Sequence, residues 1–376
     1  MKIDILTFHR AYNYGAVLQG CALTKKLNEL GAECEILDYW PGYFKLTYYY
    51  SKRITLSHIP VKTILRRFKN RDAIKVLKRR NKRFERFIDK NIPLSDKIYY
   101  DIGDISNNPP DCDAYLTGSD QVWHYQWTDF DPAFFLDFDA AKNKKKYSYA
   151  ASFGMDKLPD DMVSEYKRRL TNYDAYSVRE QSGAKILKEL ENVDANVNCD
   201  PTFLLKGEEW SKFCAENPEC EPYILLYYTV QSKTLQEYAK KLSEEKKCRV
   251  ICVPCNMTAD VLTGKFDAPF GFEVRADCGP VEFLTLIKNA AYVLTNAFHG
   301  TVFSIIFHKA FLTQMKSDEN KPNIRVEELF KTLGVKNHDL EADFDKIDND
   351  PDWDLIEKNI EKIRNCGIDY LSEIIK

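Results

Sequence analysis

The chain has 376 residues, of which 44% are hydrophobic and 30% are charged, with a formal net charge of −3. This composition is that of a folded globular protein and excludes an intrinsically disordered chain. No stretch approaches the roughly 20 consecutive apolar residues of a transmembrane helix. Because the length exceeds what one hydrophobic core usually supports, we expect two domains.

Charge is distributed unevenly along the chain. Residues 45–90 contain sixteen Lys and Arg against three Asp and Glu, which leaves about −16 for the remainder. This asymmetry predicts a basic face that meets anionic lipid, a phosphate-bearing substrate or nucleic acid. The run 66–87 spaces its apolar residues as a helix does, which indicates either a lid over the core or an anchor on an anionic membrane. No nucleic acid is expected as a partner, since no nucleic-acid-reading motif accompanies the charge.

The first half of the chain alternates strands with helices. Residues 2–8 read as a strand rather than as a signal peptide. A helix and a second strand follow, and a crossover of this kind makes the two strands parallel. Residues 43–92 interrupt the pattern and are interpreted as a basic insertion in a first domain of residues 1–205. The later predicted elements of this half are strands at 113–118, 146–152 and 173–179 and a helix at 180–190.

The second half repeats the alternation and is expected to form a domain of residues 206–376. It ends in an acidic linker and a C-terminal helix. Its predicted elements are strands at 222–230, 249–255, 291–297 and 310–315 and helices at 232–246, 279–290 and 299–309. Two successive sets of this kind predict an α/β protein with two Rossmann-like domains that face a cleft.

The stretch TNAFHGTVFSIIF places a polar group at the turn between a predicted strand and a predicted helix. His299, Gly300 and Thr301 lie at the helix start, where unpaired N–H groups and the helix dipole favour phosphate or carboxylate. Gly300 would let an anion approach the backbone, and Thr301 would add a hydroxyl. His299 can exchange a proton near neutral pH. The alternative is that His299 only caps the helix.

Arg179 follows another predicted strand, at the end of the apolar stretch AYSV. Ligands of open α/β sheets bind outside the carboxyl ends of the strands, and a guanidinium matches a carboxylate or phosphate with two parallel hydrogen bonds. The sequence therefore predicts an anion-binding role for Arg179. The alternative is an ion pair between Arg179 and Glu180 at a surface helix start.

The stretch TGSDQVWHYQW follows the strand at 113–118 and is rich in hydrogen-bonding groups. Ser119, Asp120 and Gln121 are predicted to bind substrate, and Trp123 and Trp127 are candidates for stacking on a sugar. The alternative is a capping aspartate with two packed tryptophans.

Asn13 and Gly15 follow the first strand and are predicted to approach a substrate, although the loop lacks a G-x-G-x-x-G fingerprint. Eleven cysteines, an odd number, are scattered over the predicted elements. They favour reduced, buried thiols in a cytoplasmic protein over a disulfide framework. Cys252 and Cys255 would lie on opposite faces of a strand, so no metal site is expected.

Several stretches, in order along the chain, resemble the polysaccharide pyruvyl transferase family. They are NYGAVLQGCAL, GSDQVW, SYAASFG, SVREQSGAKIL, CDPTFLL, TNAFHGTVFSIIF and NIRVEELFKTLG. The resemblance implies a glycosyltransferase-B-like fold and implies that Arg179 and His299 are donor-site residues, joined by Arg325. One departure is that many members have Ser-Phe-His-Gly where this chain has Ala297, so that a hydroxyl donor is missing.

The resemblance also implies a reaction, in which the pyruvyl unit of phosphoenolpyruvate is transferred to sugar hydroxyls to give a pyruvate ketal and phosphate. The two arginines and the helix start would hold the anionic donor. The imidazole of His299 would protonate the methylene carbon, assist phosphate departure or deprotonate a hydroxyl. No metal or other cofactor is required by this scheme.

The expected acceptor is a sugar or lipid-linked oligosaccharide precursor of a bacterial cell-surface polysaccharide. The expected location is the cytoplasm, with peripheral contact at the inner membrane surface. Two alternatives remain: a nucleotide-sugar-dependent glycosyltransferase of the same architecture, and a non-catalytic phosphosugar-binding protein.

Overall fold

The computed structural model describes residues 1–44, 71–216, 219–255, 269–317, 319 and 323–376. Residues 45–70 of the predicted basic insertion therefore lie outside the described residues. The chain forms two compact units, each assembled from segments that are distant in sequence. The first comprises Met1–Lys45, Ile88–Leu205 and Ile360–Lys376, and the second comprises Leu46–Phe87 and Lys206–Asn359.

The first unit is built on a parallel sheet with the strand order β3-β2-β1-β4-β5. Its strands are β1 Lys2–Leu6, β2 Glu33–Tyr39, β3 Leu94–Tyr99, β4 Ala114–Thr117 and β5 Lys145–Ser148. Two short parallel strands, β6 Ser177–Val178 and β7 Asn196–Val197, are joined to the β5 side through isolated bridges. Strand order reverses beside β1, so the carboxyl ends of β1 and β4 flank a topological switch point.

Helices connect these strands. They are α1 Tyr14–Glu29, α2 Arg71–Asn91, α3 Ile102–Asn107, α4 Tyr125–Thr128, α5 Val163–Leu170 and α6 Gln181–Glu191. α1 begins where the Asn13 side chain accepts hydrogen bonds from the N–H groups of Gly15 and Ala16. The helix stops before Gly31, whose φ of +98° is a backbone conformation that glycine adopts at little cost.

The second unit has a parallel sheet with the order β10-β9-β8-β11-β12. Its strands are β8 Tyr223–Tyr228, β9 Arg249–Pro254, β10 Glu273–Val274, β11 Tyr292–Thr295 and β12 Ala310–Thr313. The continuous apolar stretch YILLYY of β8 is fully buried, as expected for a central strand covered on both faces. Here the strand order reverses beside β8, and the carboxyl ends of β8 and β11 flank the switch point.

The remaining helices are α7 Gly207–Ser211, α8 Lys233–Lys246, α9 Pro280–Asn289, α10 Phe298–Ile306, α11 Ile324–Leu333 and α12 Trp353–Ile374. None of the described helices is long and apolar enough to cross a bilayer. The cysteines are free thiols, and seven of the eleven are buried. The predicted α/β class, with two Rossmann-like domains, is confirmed.

The boundaries of the two compact units differ in two places from the domain boundaries predicted from the sequence. The predicted boundary at 205/206 also separates the units, but the described part of the basic insertion up to Phe87 belongs with the second unit. Hydrogen bonds from two α2 side chains explain why this segment groups with the second unit. Nη2 of Arg80 donates to the Cys255 carbonyl at 2.9 Å, and Nη1 of Arg83 donates to the Asp277 carbonyl at 2.8 Å.

The second difference is the last segment, residues 360–376, which belongs with the first unit. Nε of Arg364 donates to the Phe203 carbonyl at 2.7 Å, and the Tyr370 hydroxyl donates to the Ser148 carbonyl at 2.9 Å. Both donors are buried. Amphipathic spacing predicted the helix but carries no information about which core its apolar face covers.

Candidate functional site

Arg179 lies in a buried cluster of carboxylates between β6 and α6. Its Nε donates to Oε1 of Glu180 at 2.7 Å, and its Nη1 donates to Oδ2 of Asp200 at 3.0 Å. Oδ1 of Asp120 is 3.9 Å from Nη1. Burial alone would lower the pKa of Arg179, but the neighbouring carboxylates outweigh it and hold the pKa above its usual range. Arg179 is therefore a fixed, charged group, and its pair with Glu180 is one part of a larger network.

The partners of Arg179 are themselves held in place. Oδ1 of Asp200 accepts hydrogen bonds from the N–H and hydroxyl of Thr202, at 3.0 and 2.7 Å. The Ser152 hydroxyl donates to Oε1 of Glu180 at 3.0 Å. Sequence reasoning missed Asp200 as a site residue, although an Asp before Pro in CDPTFLL is a recognisable start of a helical turn.

The GSDQ turn after β4 lies beside this cluster. The Ser119 hydroxyl donates to the Ala150 carbonyl at 2.8 Å and approaches Oδ2 of Asp200 at 3.5 Å, and Ser119 is fully buried. Asp120 has a left-handed backbone, with φ of 79°. The Gln121 side chain covers Gly154, where a Cβ atom would lie 2.0 Å from Nε2 of Gln121. The structure thus places Ser119 and Asp120 beside the Arg179 cluster, whereas Gln121 packs on Gly154.

The two tryptophans that follow have different environments. Trp123 is fully buried in the core of the first unit, and its Nε1 donates to the Phe134 carbonyl at 3.2 Å. The interpretation of Trp123 as a residue that stacks on a sugar is therefore wrong. Trp127, in contrast, has 58% of its surface exposed.

Asn13 and Gly15 form the start of α1 at the carboxyl end of β1. Oδ1 of Asn13 accepts from the N–H of Gly15 at 3.0 Å, which is the capping arrangement of a helix N-terminus. Gly15 is buried. These contacts give both residues a role in starting the helix.

Sequence reasoning missed a buried triad of ionisable side chains that precedes this cap. Arg10 donates from Nε and Nη2 to the two carboxylate oxygens of Asp38, at 2.7 and 2.6 Å. Nε2 of His9 lies 3.1 Å from Oδ1 of the same carboxylate. Burial lowers the pKa of His9, whereas hydrogen bonds from His9 and Arg10 overcome burial and hold the pKa of Asp38 below its usual range. The triad joins the carboxyl ends of β1 and β2.

In the second unit, the predicted polar turn lies between β11 and α10. The N-cap of α10 is Ala297, so His299 is the second helical residue rather than the cap. A Cβ atom at Gly300 would lie 2.4 Å from Oγ1 of Thr295 and 2.6 Å from Cδ1 of Tyr227. Gly300 therefore lets the helix approach the sheet, where the sequence predicted room for an anion.

Thr301 also faces the interior. Its hydroxyl donates to the Ala297 carbonyl at 3.2 Å and lies 2.8 Å from the hydroxyl of Thr313. Thr301 is fully buried. Its hydroxyl thus links α10 to β12, where the sequence predicted a contact with substrate.

His299 and Arg325 come together around one aromatic ring. The imidazole of His299 is edge-on to the ring of Phe298, with centroids 5.1 Å apart. The guanidinium carbon of Arg325, in the first turn of α11, lies 5.7 Å from the centroid of the same ring. Only 7% of the His299 surface is exposed. A cation and a titratable imidazole therefore lie beside the helix start, a combination suited to binding an anion and moving a proton.

Asn296, which sequence reasoning missed, links the loops around this group. Its Oδ1 accepts from the N–H of Thr229 at 3.0 Å, and its Nδ2 donates to the Val230 carbonyl at 2.8 Å. Nδ2 of Asn323, the N-cap of α11, reaches the Asn296 carbonyl at 3.4 Å. The end of β8, the start of α10 and the start of α11 are thereby joined at the switch point of the second sheet. The sequence feature that could have identified Asn296 is its position immediately after a buried strand.

Comparisons with known proteins agree with this architecture. The UDP-GlcNAc 2-epimerase of Neisseria meningitidis bound to UDP-GlcNAc is similar, with a TM-score of 0.50 and 14% identity over 100% of this chain and 98% of that chain. The UDP-GlcNAc 2-epimerase of Methanocaldococcus jannaschii, in complex with UDP-GlcNAc and UDP, has a TM-score of 0.52 and 16% identity over 100% of this chain and 99% of that chain. Arabidopsis thaliana UGT89C1, complexed with UDP-L-rhamnose, has a TM-score of 0.50 and 14% identity over 99% of this chain and 98% of that chain. At these identities the likeness shows the fold alone, which is that of the GT-B type.

No curated protein matches the sequence. The family model described as polysaccharide pyruvyl transferase matches residues 13–313, a span that begins at the cap of α1 and ends with β12. It includes Arg179 and His299, whereas Arg325 lies beyond its end. The chain belongs to the polysaccharide pyruvyl transferase family.

Proposed function

We propose that the protein transfers the pyruvyl unit of phosphoenolpyruvate to hydroxyls of a sugar in a cell-surface polysaccharide precursor, with release of phosphate. Membership of the family makes the protein an enzyme of polysaccharide pyruvylation. The observation that most supports the anionic donor is the group formed by Arg325, Phe298 and His299 at the start of α10. A guanidinium and a helix N-terminus both favour phosphate and carboxylate, the two charged groups of phosphoenolpyruvate.

The proposed reaction places specific demands on proton transfer. A proton is added to the methylene carbon, which becomes a methyl group, and the adjacent carbon becomes electrophilic. One sugar hydroxyl forms a C–O bond to that carbon and loses its proton. The C–O bond to phosphate breaks, and a second hydroxyl adds and loses its proton to close the ketal. His299 is proposed to carry one of these protons, since an imidazole has nitrogens that can accept and donate a proton.

Arg179 is proposed as the second donor-site residue. It remains charged, and its position at a strand end is fixed by Glu180 and Asp200. A guanidinium held in this way loses little conformational entropy when it binds an anion. Three residues of the loop after β4 are proposed to bind substrate beside Arg179: Ser119, Asp120 and Gln121. A second set is proposed to shape the backbone around the substrate: Asn13, Gly15, Gly300 and Thr301.

The test is to incubate the protein with phosphoenolpyruvate and candidate lipid-linked or nucleotide-linked sugars. We expect phosphate release that depends on the sugar, and a product heavier by one pyruvate ketal in mass spectrometry. Release of a nucleotide from a nucleotide sugar, without use of phosphoenolpyruvate, would instead identify a glycosyltransferase. Binding without turnover for any sugar would identify a phosphosugar-binding protein. Either result would overturn the proposal.

We also propose that the enzyme acts in the cytoplasm and contacts the inner membrane surface through α2. The buried face of this helix includes Ile74, Leu77, Phe84 and Ile88. Its exposed face is basic and comprises Lys75, Lys78, Arg79, Lys82, Arg86 and Lys90, with Asp89 as an acidic exception. Each basic residue near an anionic membrane contributes about 1 kcal/mol, and the attraction is screened by salt.

Sedimentation with vesicles tests this contact. We expect the protein to bind vesicles that contain phosphatidylglycerol, and to bind neutral vesicles at least tenfold less, about 1.4 kcal/mol. Replacement of Lys78, Lys82 and Arg86 by Glu should abolish the difference. The control replaces the exposed Lys233, Lys240 and Lys241 of α8 by Glu, which changes the net charge equally. An equal loss of vesicle binding in the α2 and α8 variants would exclude a specific role of α2.

A further inference from the structure

A short aromatic turn follows the GSDQ segment in the first unit. It consists of His124 and the four-residue helix α4, Tyr125–Thr128. Trp127 has 58% of its surface exposed, the largest exposed fraction among aromatic residues in the described part of the chain. Single exposed apolar residues are ordinary at protein surfaces, so exposure alone assigns no role to Trp127.

The rings around Trp127 are ordered. The imidazole of His124 and the ring of Tyr125 are parallel to within 5°, with centroids 5.5 Å apart. The ring of Trp127 lies 5.5 Å from that of His124 at 39°. Nε2 of the exposed Gln126 donates to the Tyr125 hydroxyl at 2.9 Å. The turn thus combines aromatic faces with hydrogen-bonding groups, which is the composition of a site for an amphipathic ligand.

Contacts hold two residues with a left-handed backbone after the helix. Asp129 and Phe130 have φ of 52° and 51°, a conformation that aspartate tolerates but that is unfavourable for phenylalanine. Arg169 secures this conformation, because its guanidinium lies 4.1 Å over the Phe130 ring and its Nη1 donates to the Phe130 carbonyl. The Tyr39 hydroxyl holds the next residue, Asp131, at 2.6 Å. Strain of this kind persists only where the surrounding structure enforces it.

The turn also lies where ligands of open α/β sheets bind. It follows the carboxyl end of β4, beside β1 at the switch point of the first sheet. Asp120 and Gln121, which the proposed function places at the substrate, are only a few residues earlier in the same loop. A ligand at these residues that extends along the loop would therefore meet the aromatic turn.

We propose that Trp127, with Tyr125 and His124, forms a subsite that stacks on a hexopyranosyl unit of the acceptor glycan. The C–H groups on one face of a pyranose are weakly positive and complement the negative face of an indole ring. The neighbouring amide, phenol and imidazole are suited to hydroxyls at the ring edge. Identification of this glycan as the acceptor rests on the proposed function, whereas the binding site itself does not.

Glycan binding in the absence of phosphoenolpyruvate tests the subsite directly. The probes are neutral tetrasaccharides of gluco, galacto and manno configuration, titrated into the full chain by calorimetry or saturation-transfer NMR. We expect at least one probe to bind, and Trp127→Ala to weaken that binding by about tenfold. Trp127→Tyr keeps a flat ring and should remain within about threefold of the parent chain.

The matched control is Phe270→Ala, since Phe270 is a similarly exposed aromatic residue, at 51%, in the second unit. We expect this variant to bind as the parent chain does. Unchanged binding by Trp127→Ala, or failure of the parent chain to bind any probe, would overturn the inference.

Turnover assays separate this inference from the proposed function. If phosphoenolpyruvate-dependent turnover is found, Trp127→Ala should raise the KM for acceptor about tenfold and leave the KM for phosphoenolpyruvate unchanged. An unchanged acceptor KM would remove the subsite and leave the proposed function intact. If no sugar supports turnover but Trp127→Ala loses glycan binding, the subsite stands and the proposed function fails.

Discussion

The two units have equivalent sheet orders but different interiors. In each sheet the first strand is central. The next two strands of the chain are added on one side of it, and the last two are added on the other side. Among the described residues, the first unit buries eight charged or histidine side chains and the second buries four. Those of the first unit are Asp4, His9, Arg10, Asp38, Arg179, Glu180, Asp200 and Arg364, and those of the second are Arg80, Glu85, His299 and His338.

This difference separates two ways of constructing a site on one fold. Around Arg179, the first unit surrounds a cation with carboxylates, so that the charges fix one another and the site is inseparable from the core. Around His299, the second unit places polar groups at the carboxyl ends of two inner strands and joins them by hydrogen bonds from the Asn296 side chain to the backbone. Substitutions should therefore affect both stability and activity in the first unit, and mainly activity at His299 in the second.

The largest expected effect is on stability, from Arg179→Met. Removal of the guanidinium leaves Glu180 and Asp200 buried without their cation, which should lower the free energy of unfolding by about 3–5 kcal/mol. Urea unfolding followed by circular dichroism measures the change. Arg168→Met is the control, because Arg168 is about half exposed and pairs with Asp137 and Glu165 at the surface. Equal effects of the two substitutions would contradict a buried ionic network.

A smaller effect, of opposite sign, is expected for Asp4→Asn. Burial, assisted by the charge of Glu35, raises the pKa of Asp4 from 3.8 to about 7. The folded state then binds a proton that the unfolded state releases, so this group makes stability fall as pH rises from about 4 to 7. The variant does not titrate here and should be more stable than the parent chain at pH 8, by about 2–4 kcal/mol.

Unfolding of both proteins at pH 5 and pH 8 provides the measurement for Asp4. The difference between the proteins should be larger at pH 8, where Asp4 is ionised in the parent chain. A difference that is the same at both pH values would show that Asp4 does not titrate between them.

Gly300→Ala tests close packing in the second unit. The added methyl group would overlap Oγ1 of Thr295 and the ring of Tyr227, and should cost about 1–3 kcal/mol. Thermal unfolding measures this loss. The control is Gly42→Ala, because a Cβ atom at Gly42 has nothing within 4 Å. Wild-type stability of Gly300→Ala would indicate that α10 does not contact the sheet as closely as described.

His299→Ala should act mainly on turnover. We expect phosphoenolpyruvate-dependent turnover to fall by more than about tenfold, or about 1.4 kcal/mol, while the chain keeps a cooperative unfolding transition. His308→Ala is the control, since His308 is 45% exposed in its side chain and pairs with Glu357 on the surface. Near-normal turnover of His299→Ala would remove this residue from the mechanism.

Elements with a strong periodic pattern could be predicted from the sequence. The alternation of strand and helix located α8 and α9 to within one residue at each end and α10 to within three, as expected where apolar spacing and turn residues agree. β3, Leu94–Tyr99, was missed because its sequence LSDKIY is polar and only partly buried. An edge strand covers little of the core and therefore carries a weak apolar signal.

The places of the candidate residues at the ends of strands were easier to predict than the contacts that these residues make. Sequence patterns located Arg179 and His299 after strands, but the partners of Arg179 come from segments about 20 and 60 residues away, Asp200 and Asp120. Contacts between distant segments leave no trace in local spacing. Gly300 and Thr301 were predicted to contact substrate. A Gly and a Thr at a helix start are compatible with ligand binding and with close packing, and the sequence alone does not distinguish the two.

The position of residues 360–376 has a consequence for how the protein is made. The first unit receives its last segment, with the Arg364 and Tyr370 contacts to Phe203 and Ser148, only after the whole second unit has been translated. Although N-terminal domains usually fold first during synthesis, this one is incomplete until the ribosome has passed residue 370. A nascent chain halted at residue 205 should therefore expose the apolar surface that α12 covers and should need a chaperone until synthesis ends.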